Sequence, residues 1–406
     1  MPDSVSKGAQ PCGDDRSLTV AALMDSMQSE PRPSGSGLPP PRALKRSLVF
    51  VLAAASVSVS YAASWQIGPF VRPPGAAPVI TPNKESAFRN PVDGKMVHWE
   101  ALHTFNPAAI VRNGKIYLLY RAEDDTGEMI IGGHTSRLGL AESDDGIHFT
   151  RRPEPVLFPG NDAEKEREWP GGVEDPRIVE TEDGTYVLTY TQWNRQSTDA
   201  AIATSKDLVH WTKHGPIFGT EGNYAARSYK SAGIVTRVVG DRLIAARIGG
   251  KYWMYWGEGF IRLATSDDLI HWEPVEHPHH EPVVALAKRP KRFDSSFPES
   301  GPPPVLTANG IVVLYNGKND PASGDRKLGP NAYAVGEALF AADAPAKLMA
   351  RTLQPVFKPE LPFEKTGQYT AGTTFAEGLV WFHNQWFLYY GCADSMVGVA
   401  IARTPE

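Results

Sequence analysis

One short sequence element occurs three times in this chain and restricts its fold more than any other feature. It reads S-x-D-x-[IV]-H-[FW] and begins at Ser143, Ser205 and Ser266, so its copies are about sixty residues apart. Each copy joins two short apolar stretches, and another strand-like stretch, such as GKIYLLYR, lies upstream of it. A period of this length indicates a repeated supersecondary unit, here antiparallel strands joined by short turns.

Two further units are recognisable from their first halves, NGIVVLYNG ending at Gly317 and NQWFLYYG ending at Gly391. We therefore predict an all-β fold, a five-bladed β-propeller over residues 64–406. Five blades are favoured over six because residues 64–104 contain no further copy of the repeat. The last unit ends before its outer strand, and we expect a segment around residues 70–81 to supply that strand.

The first part of the chain differs from the rest in composition. Residues 1–43 are rich in Ser, Pro, Gly and charge, which predicts a disordered segment or a leader from a start codon placed too early. Residues 44–63 have the basic start, apolar centre and small-residue end of a signal peptide. A membrane anchor is the alternative, but it needs about twenty apolar residues. We expect export to the periplasm or extracellular space, with no stable membrane association after cleavage.

Charge and cysteine content narrow the function classes. The formal net charge is −5 with both signs well mixed, which argues against nucleic acid as a partner. Cys12 precedes the predicted cleavage site, so Cys392 would be the one cysteine of the mature chain. A disulfide within one chain and a cysteine-based metal site are both excluded. We expect no metal and no cofactor, and the oligomeric state stays open.

Propellers carry their functional groups on loops at one mouth of the central channel. The densest candidate loop is GGVEDPRI, in which Glu174 and Asp175 are followed by a rigid proline and Arg177. A carboxylate held in this way suits an acid catalyst or a clamp for sugar hydroxyls, although a surface ion pair at a strand start is the alternative. Other loops at this mouth contribute Asn106, Arg121, Asp124, Lys251, Glu258, Glu299, Asn316 and Asp394.

Such a group of carboxylates, amides and cations, with Trp and Tyr nearby, suits a neutral polyol. Sugar faces stack on aromatic rings, and their hydroxyls bond to charged groups. The alternative is that these acidic residues only cap exposed turns, as Asp commonly does.

Several ordered motifs resemble those of glycoside hydrolase family 130. They are FNPAAIVRNGKIYLLYRAED, GGVEDPRI, the repeated turns, SGPPPVLTANGIVVLYNG, the run from Arg351 to Gly367, and YYGCAD. The resemblance covers about residues 105–402. It implies a five-bladed propeller that acts on β-mannosides, as an inverting phosphorylase or, in some branches, as a hydrolase. It also implies that Asp175 is the general acid, with the proton passing through a hydroxyl of the mannosyl residue.

The departures from that family concern its phosphate-binding cations. Its phosphorylases typically have Y-H-G-V where this chain has Tyr315, Asn316, Gly317 and Lys318. Two of their arginines correspond to the regions of Glu258 and Asp199, and only Lys251 is retained. Carboxylates in place of cations would repel a phosphate dianion.

An inverting hydrolase needs a carboxylate base with room for a water molecule between it and the acid. Glu258 and Glu299 are candidates, and the hydrolytic branch of the family is similar in having Glu at both places. We expect one to deprotonate water and the other to orient it, while Asp175, with a raised pKa, protonates the leaving oxygen. Asn106, Arg121, Asp124, Arg177, Lys251, Tyr315, Asn316 and Asp394 are expected to bind the sugar.

The leading hypothesis is an exported, inverting β-mannoside hydrolase acting on short β-1,2-linked manno-oligosaccharides, a linkage that only the resemblance implies. Its alternatives are a β-mannoside phosphorylase that releases mannose 1-phosphate, and a glycan-binding propeller without catalysis. Propeller glycosidases acting on arabinose or fructose units are a further alternative.

Overall fold

The computed structural model describes residues 65–224 and 228–403. The predictions for residues 1–43 and 44–63 therefore lie outside the described residues. Strands make up 47% of the structure and helices make up 2%, which confirms the all-β class. Within the described ranges, no helix has the length and apolarity that a membrane span requires.

Five antiparallel units follow a short hairpin of β1 (Phe88–Arg89) and β2 (Met96–Val97). The first comprises β3 (His103–Arg112), β4 (Lys115–Glu123), β5 (Ser136–Ser143) and β6 (Thr150–Arg151). The second, after helix α1 (Lys165–Glu168), comprises β7 (Gly172–Glu180), β8 (Tyr186–Trp193), β9 (Thr198–Ser205) and β10 (Thr212–Pro216).

The third unit comprises β11 (Ala232–Ile234), the hairpin β12 (Thr236–Val239) and β13 (Arg242–Ala245), β14 (Arg247–Ile248), β15 (Lys251–Trp256), β16 (Ile261–Ser266), β17 (Glu273–Pro274) and β18 (Val284–Leu286). The fourth comprises β19 (Phe297–Ser300), β20 (Val305–Thr307), β21 (Gly310–Lys318), β22 (Tyr333–Ala341) and β23 (Ala344–Arg351). A 3₁₀ turn (Pro362–Glu364) precedes the fifth unit, which comprises β24 (Thr374–Phe382), β25 (Gln385–Cys392) and β26 (Met396–Arg403).

Hydrogen bonding groups the described strands into sheets of 2, 15, 6 and 3 strands. Short parallel pairings, such as that between β5 and β7, connect neighbouring units. None of these sheets closes on itself. The five-bladed propeller therefore stays a prediction at this point, whereas the antiparallel units themselves are observed.

In the described residues the apolar core consists of five clusters, and each cluster joins neighbouring units. One pair of buried side chains illustrates each cluster. The pairs are Ile110 and Leu188 for the first and second units, Ile202 and Met254 for the second and third, Leu263 and Val313 for the third and fourth, Leu314 and Leu388 for the fourth and fifth, and Leu118 and Tyr389 for the first and fifth. Every unit thus buries apolar side chains on both of its faces, and burial of this kind is the main stabilising contribution to the fold.

The segment before the first unit pairs with the last strand, as the sequence predicted. The backbone N–H of Val71 donates to Ile401 (2.9 Å), and that of Ile401 donates back to Val71 (2.8 Å). Val79 donates to Val397 at 2.8 Å. The start of the described chain therefore covers the outer edge of β26, an edge that would otherwise expose unpaired backbone groups.

The repeated sequence element forms the same turn three times. In the second copy, the Ser205 hydroxyl oxygen accepts the backbone N–H groups of Asp207 (3.1 Å) and Leu208 (2.9 Å). One Asp207 oxygen accepts the N–H of His210 (2.8 Å), and the other contacts the His210 ring nitrogen (2.7 Å). These bonds hold Leu208 at a φ of 70°. The element therefore stabilises the fold, as predicted, and does not carry chemistry.

Removing the hydroxyl of Ser205 should destabilise the protein. In Ser205→Ala two backbone donors lose their acceptor, so we expect the free energy of unfolding to fall by about 1–2 kcal/mol, with similar losses for Ser143→Ala and Ser266→Ala. Urea unfolding measures the change. Asp144→Ala is the control, since that side chain is 82% exposed. Losses no larger than that of the control would contradict the assigned role.

Candidate active site

A cavity of about 380 Å³ opens where loops of all five units meet. Six predicted site residues line it: Asn106, Arg121, Asp175, Glu258, Glu299 and Asp394. The other lining residues are Phe105, Ile131, Gly132, Glu174, Trp193, Thr198, Lys230, Tyr333, Gln368, Tyr369 and Phe375. In the described part of the chain, no group of three or more His, Cys, Asp or Glu side chains is arranged to hold a metal ion.

Bulges in the first strands of three units direct polar side chains toward this region. The strand register shifts at Asn106 in β3, at Asp175–Pro176 in β7 and at Glu377 in β24. Asn106 and Asp175 have φ values of 46° and 47°, in the left-handed region that non-glycine residues rarely occupy. Such strained positions persist where the surrounding structure over-determines them, and they are typical of functional sites.

Asp175 is almost completely buried and surrounded by donors. Its Oδ1 accepts hydrogen bonds from Asn106 Nδ2 (2.9 Å) and from the Arg121 guanidinium (3.1 Å). Burial by itself would raise the pKa of Asp175, but Arg121, Lys230 and Arg177 outweigh that effect and lower the pKa to about 2. The prediction of a raised pKa for the acid is therefore wrong for this structure, because nearby cations favour the charged carboxylate.

Lys230 occupies the centre of the charged group, and the sequence analysis missed it. Its Nζ lies 3.3 Å from Glu299 Oε1, 3.9 Å from Glu258 Oε2 and 3.9 Å from Asp175 Oδ2. Burial alone would lower the pKa of this ammonium, but the surrounding carboxylates raise it well above its usual value. Lys230 lies two residues before the short strand β11, and only the alignment of β11 with the first strands of other units could have indicated it.

Glu258 and Glu299 lie side by side, because their backbones form an isolated antiparallel bridge. The Glu258 side chain is 40% exposed, whereas that of Glu299 is 1% exposed and accepts a hydrogen bond from the Ser231 hydroxyl (2.6 Å). Burial raises the pKa of Glu299 even though Lys230 opposes the shift. Asp175 Oδ2 and Glu258 Oε2 are both 3.9 Å from one nitrogen atom, so they are at most about 7.8 Å apart. That limit is compatible with the about 6.5–9.5 Å of inverting glycosidases.

The family follows from a sequence profile described as β-1,4-mannooligosaccharide phosphorylase, which matches residues 80–406. The chain belongs to glycoside hydrolase family 130. A 1,2-β-oligomannan phosphorylase from Thermoanaerobacter sp. (strain X514) is 33% identical over 333 residues, which are 81% of this chain and 96% of that protein. Three further curated relatives, at 25% to 29% identity, are also named mannoside phosphorylases.

Solved structures at higher identity carry other names. A glycosyl hydrolase from Bacteroides ovatus is 48% identical, has a TM-score of 0.83, and aligns over 85% of this chain and 97% of that one. A second structure, at 48% identity and a TM-score of 0.82, aligns over 85% of this chain and 98% of that one. That structure is described with the statement that the family 130 of mannoside phosphorylases contains glycoside hydrolases that target β-1,2 mannosidic linkages in Candida mannan. This family 130 chain is thus an enzyme that acts on mannosides.

Lys251 does not reach the cavity, in contrast to the sequence prediction. It begins β15, where its ammonium pairs with Asp267 at 2.6 Å and is 42% exposed. Glu258 lies seven residues further on, past the other end of β15. Because an extended chain rises about 3.3 Å per residue, the two residues belong to opposite ends of the third unit. The lysine that lines the cavity is Lys230.

Tyr315 and Asn316 are fully buried in the scaffold and do not line the cavity. The Tyr315 hydroxyl donates to Asp294 (2.8 Å), in a group that includes Arg289 and Arg351. Asn316 bonds twice to the backbone of Ala376, at 3.0 and 2.8 Å, and so ties β21 to β24. Asn316 thus connects two units, and neither residue belongs to the cavity wall.

Asp124 and Arg177 are also structural. Asp124 forms a 2.7 Å ion pair with Arg137, and it accepts two further hydrogen bonds from Thr126. Arg177 donates to the backbone carbonyls of Asp175 (2.9 Å) and Ser300 (2.8 Å), and thereby links the acid to the strand that carries Glu299.

Asp199 cannot repel phosphate as the sequence analysis expected. Its carboxylate forms a 3.0 Å ion pair with Arg167, and it is not among the residues that line the cavity. Repulsion of phosphate therefore depends on the five acidic groups that do line the cavity, among them Glu258.

Two other carboxyl groups that line the cavity have pKa values near neutral pH. Burial raises the pKa of Glu174 to about 7, and the neighbouring Asp175 charge adds to this, while Arg121 opposes it. Burial likewise raises the pKa of Asp394 to about 7. Asp394 has a φ of 51°, so it is also strained. The site thus concentrates acidic groups at some expense of stability.

The variant Asp394→Asn should be more stable than the native protein, and increasingly so at higher pH. A carboxyl group whose folded pKa is raised to about 7 contributes stability below its usual pKa near 4, and this is lost as pH rises through 7. We expect the gain in melting temperature to be a few degrees larger at pH 8 than at pH 5. Calorimetry measures it, with the exposed Asp144→Asn as control. Equal gains at both pH values would contradict the shifted pKa.

Proposed function

We propose that this enzyme hydrolyses β-1,2-linked manno-oligosaccharides with inversion at the anomeric carbon. The observation that carries the proposal is the contact of one ammonium, that of Lys230, with Asp175, Glu258 and Glu299 on the wall of one cavity. An acid and a base separated by room for one water molecule are what direct displacement at a sugar requires. The linkage is taken from the 48% identical structure and from the curated relatives.

Asp175 protonates the leaving oxygen in this proposal. Its lowered pKa means that it needs a proton at the moment of reaction, and Glu174, with a pKa of about 7, is the adjacent group that can retain one at neutral pH. A sugar that fills the cavity excludes water, and this exclusion raises the pKa of Asp175. The family resemblance adds a mannosyl hydroxyl as the carrier of the proton.

Glu258 is the proposed base, and Glu299 has a positioning role. The Glu258 carboxylate is partly exposed to the cavity and can meet a water molecule, whereas Glu299 is enclosed and already engaged by Ser231 and Lys230. Lys230 then fixes the spacing between base and acid. General bases of this kind contribute about 10²–10⁴ to the rate.

Phosphorolysis is the second candidate, and the activities named for the curated relatives favour it over hydrolysis. One structural feature also favours it. Lys318, which lies 5.3 Å from the ring centre of Tyr333, adds a cation beside the cavity.

The charge of the cavity wall favours hydrolysis over phosphorolysis. Two cations, Arg121 and Lys230, stand among five acidic side chains, and Arg121 already pairs with Glu123, Glu174 and Asp175. A phosphate dianion would meet net negative charge there. The predicted export signal supports water too, since a sugar phosphate released outside the cytoplasm is of little use to the cell.

We further infer that the five units are the blades of a closed propeller. The support is the cyclic order of the apolar clusters, in which the fifth unit packs on the first as each other unit packs on the next. Closure would also explain how one cavity receives side chains from all five units.

A panel of manno-oligosaccharides of different linkage, incubated with and without inorganic phosphate, tests the function. We expect β-1,2-mannobiose to be cleaved to mannose at a rate that phosphate does not raise. Proton NMR of fresh product should show the α-anomer first, because a single displacement inverts the centre. Release of mannose 1-phosphate would establish the second candidate. Binding without turnover would indicate a glycan-binding protein.

Substitution of the two glutamates should separate their roles. Glu258→Gln should lose activity by at least about a hundredfold, and azide should restore turnover with an α-configured product, since the small anion replaces the activated water. Glu299→Gln should also lose activity, but azide should not restore it. Rescue of Glu299→Gln alone would reverse the assignment, and full activity in either variant would exclude that residue from the mechanism.

A further inference from the structure

The segment between β4 and β5 carries three consecutive exposed apolar side chains. Met129, Ile130 and Ile131 are 72%, 60% and 57% exposed. Other large exposed apolar residues in the described chain occur singly or as the pair Leu348 and Met349. Consecutive exposed apolar residues are unfavourable in water unless they have a binding role.

This segment, residues 126–133, is an ordered arm. The backbone N–H of Gly133 donates to Ile130 (2.9 Å), and that of Ile130 donates to Glu128 (2.8 Å). At its base, Thr126 is tied to Asp124 and to His134. The exposed tip is thus held in place by polar contacts at the base.

The arm is continuous with the cavity. Ile131 and Gly132 belong to the cavity wall, next to Trp193, whose indole N–H donates to the carbonyl of Gly132 at 3.1 Å. The apolar tip therefore continues from an aromatic side chain at the rim of the site.

The position of the arm indicates which part of a substrate it meets. The arm belongs to the first unit and Trp193 to the second, which also carries the acid Asp175, whereas Glu258 and Glu299 belong to the third and fourth. The leaving sugar departs on the side of the acid, away from the attacking water. The arm and Trp193 therefore lie on the leaving-group side.

We propose that the arm, together with Trp193, forms an apolar platform for the sugar on the leaving-group side of the cleaved bond. The C–H faces of a pyranose ring pack well on apolar and aromatic side chains. This inference rests on the proposed function, because it assumes an acid at Asp175. A second copy of the chain is a less suitable occupant, since three side chains provide far less than the about 800 Å² per partner of a stable interface.

The test compares two substrates in two variants. β-Mannosyl fluoride has no leaving sugar, whereas β-1,2-mannobiose has one. In Met129→Ser/Ile130→Ser/Ile131→Ser, kcat/KM for mannobiose should fall about tenfold more than kcat/KM for the fluoride, because only mannobiose loses apolar contacts. The matched control, Leu348→Ser/Met349→Ser, removes exposed apolar side chains of β23 and should leave the ratio of the two values unchanged. Equal losses for both substrates, or no loss, would overturn the platform.

Two further measurements keep this result separate from the proposed function. Calorimetric titration with mannobiose should show weaker binding to the triple variant than to the native protein, whether or not turnover occurs. If the native protein cleaves neither substrate, and the triple variant still binds mannobiose more weakly than the native protein, the proposed function is refuted and the platform is retained. Unchanged affinity, or a native dimer that the variant dissociates without a change in kinetics, would overturn the platform.

Discussion

The site depends on the balance between buried carboxylates and two cations. Five acidic side chains line the cavity, and several of them are almost completely buried. Charges of one sign at such density are not stable in a low dielectric unless opposite charge is within a few ångströms. Arg121 contacts Glu123, Glu174 and Asp175. Lys230 contacts Asp175, Glu258 and Glu299. These cations decide which carboxyl groups are charged.

This balance gives neighbouring acidic side chains different pKa values. Asp175 and Glu174 are adjacent in sequence, yet their pKa values shift in opposite directions, because Arg121, Lys230 and Arg177 together favour the charge on Asp175 while burial dominates at Glu174. Pairs of titratable groups whose pKa values diverge are characteristic of acid–base catalysis. The bulge that turns β7 at Asp175 is what places these two side chains differently.

The scaffold explains why several polar residues near the site do not touch its cavity. Asn316 ties β21 to β24, and Arg177 links the carbonyl of Asp175 to that of Ser300. Their polar character serves backbone groups that would otherwise be buried without partners. They hold the acid and the glutamates at a fixed spacing, which a displacement by water requires.

The sequence by itself determined the repeat, the antiparallel units, the turn at Ser205 and the place of Asp175, because these follow from local patterns of two to ten residues. It could not assign Lys230 or separate it from Lys251. Both are lysines at or near the start of a short strand, and only the packing of units far apart in the chain brings one of them among the carboxylates. The same holds for the pKa of Asp175, since Arg121 is 54 residues away in sequence but 3.1 Å away in space. Tertiary structure decided these points because electrostatic interactions depend on distance and burial, which the order of residues along the chain does not specify.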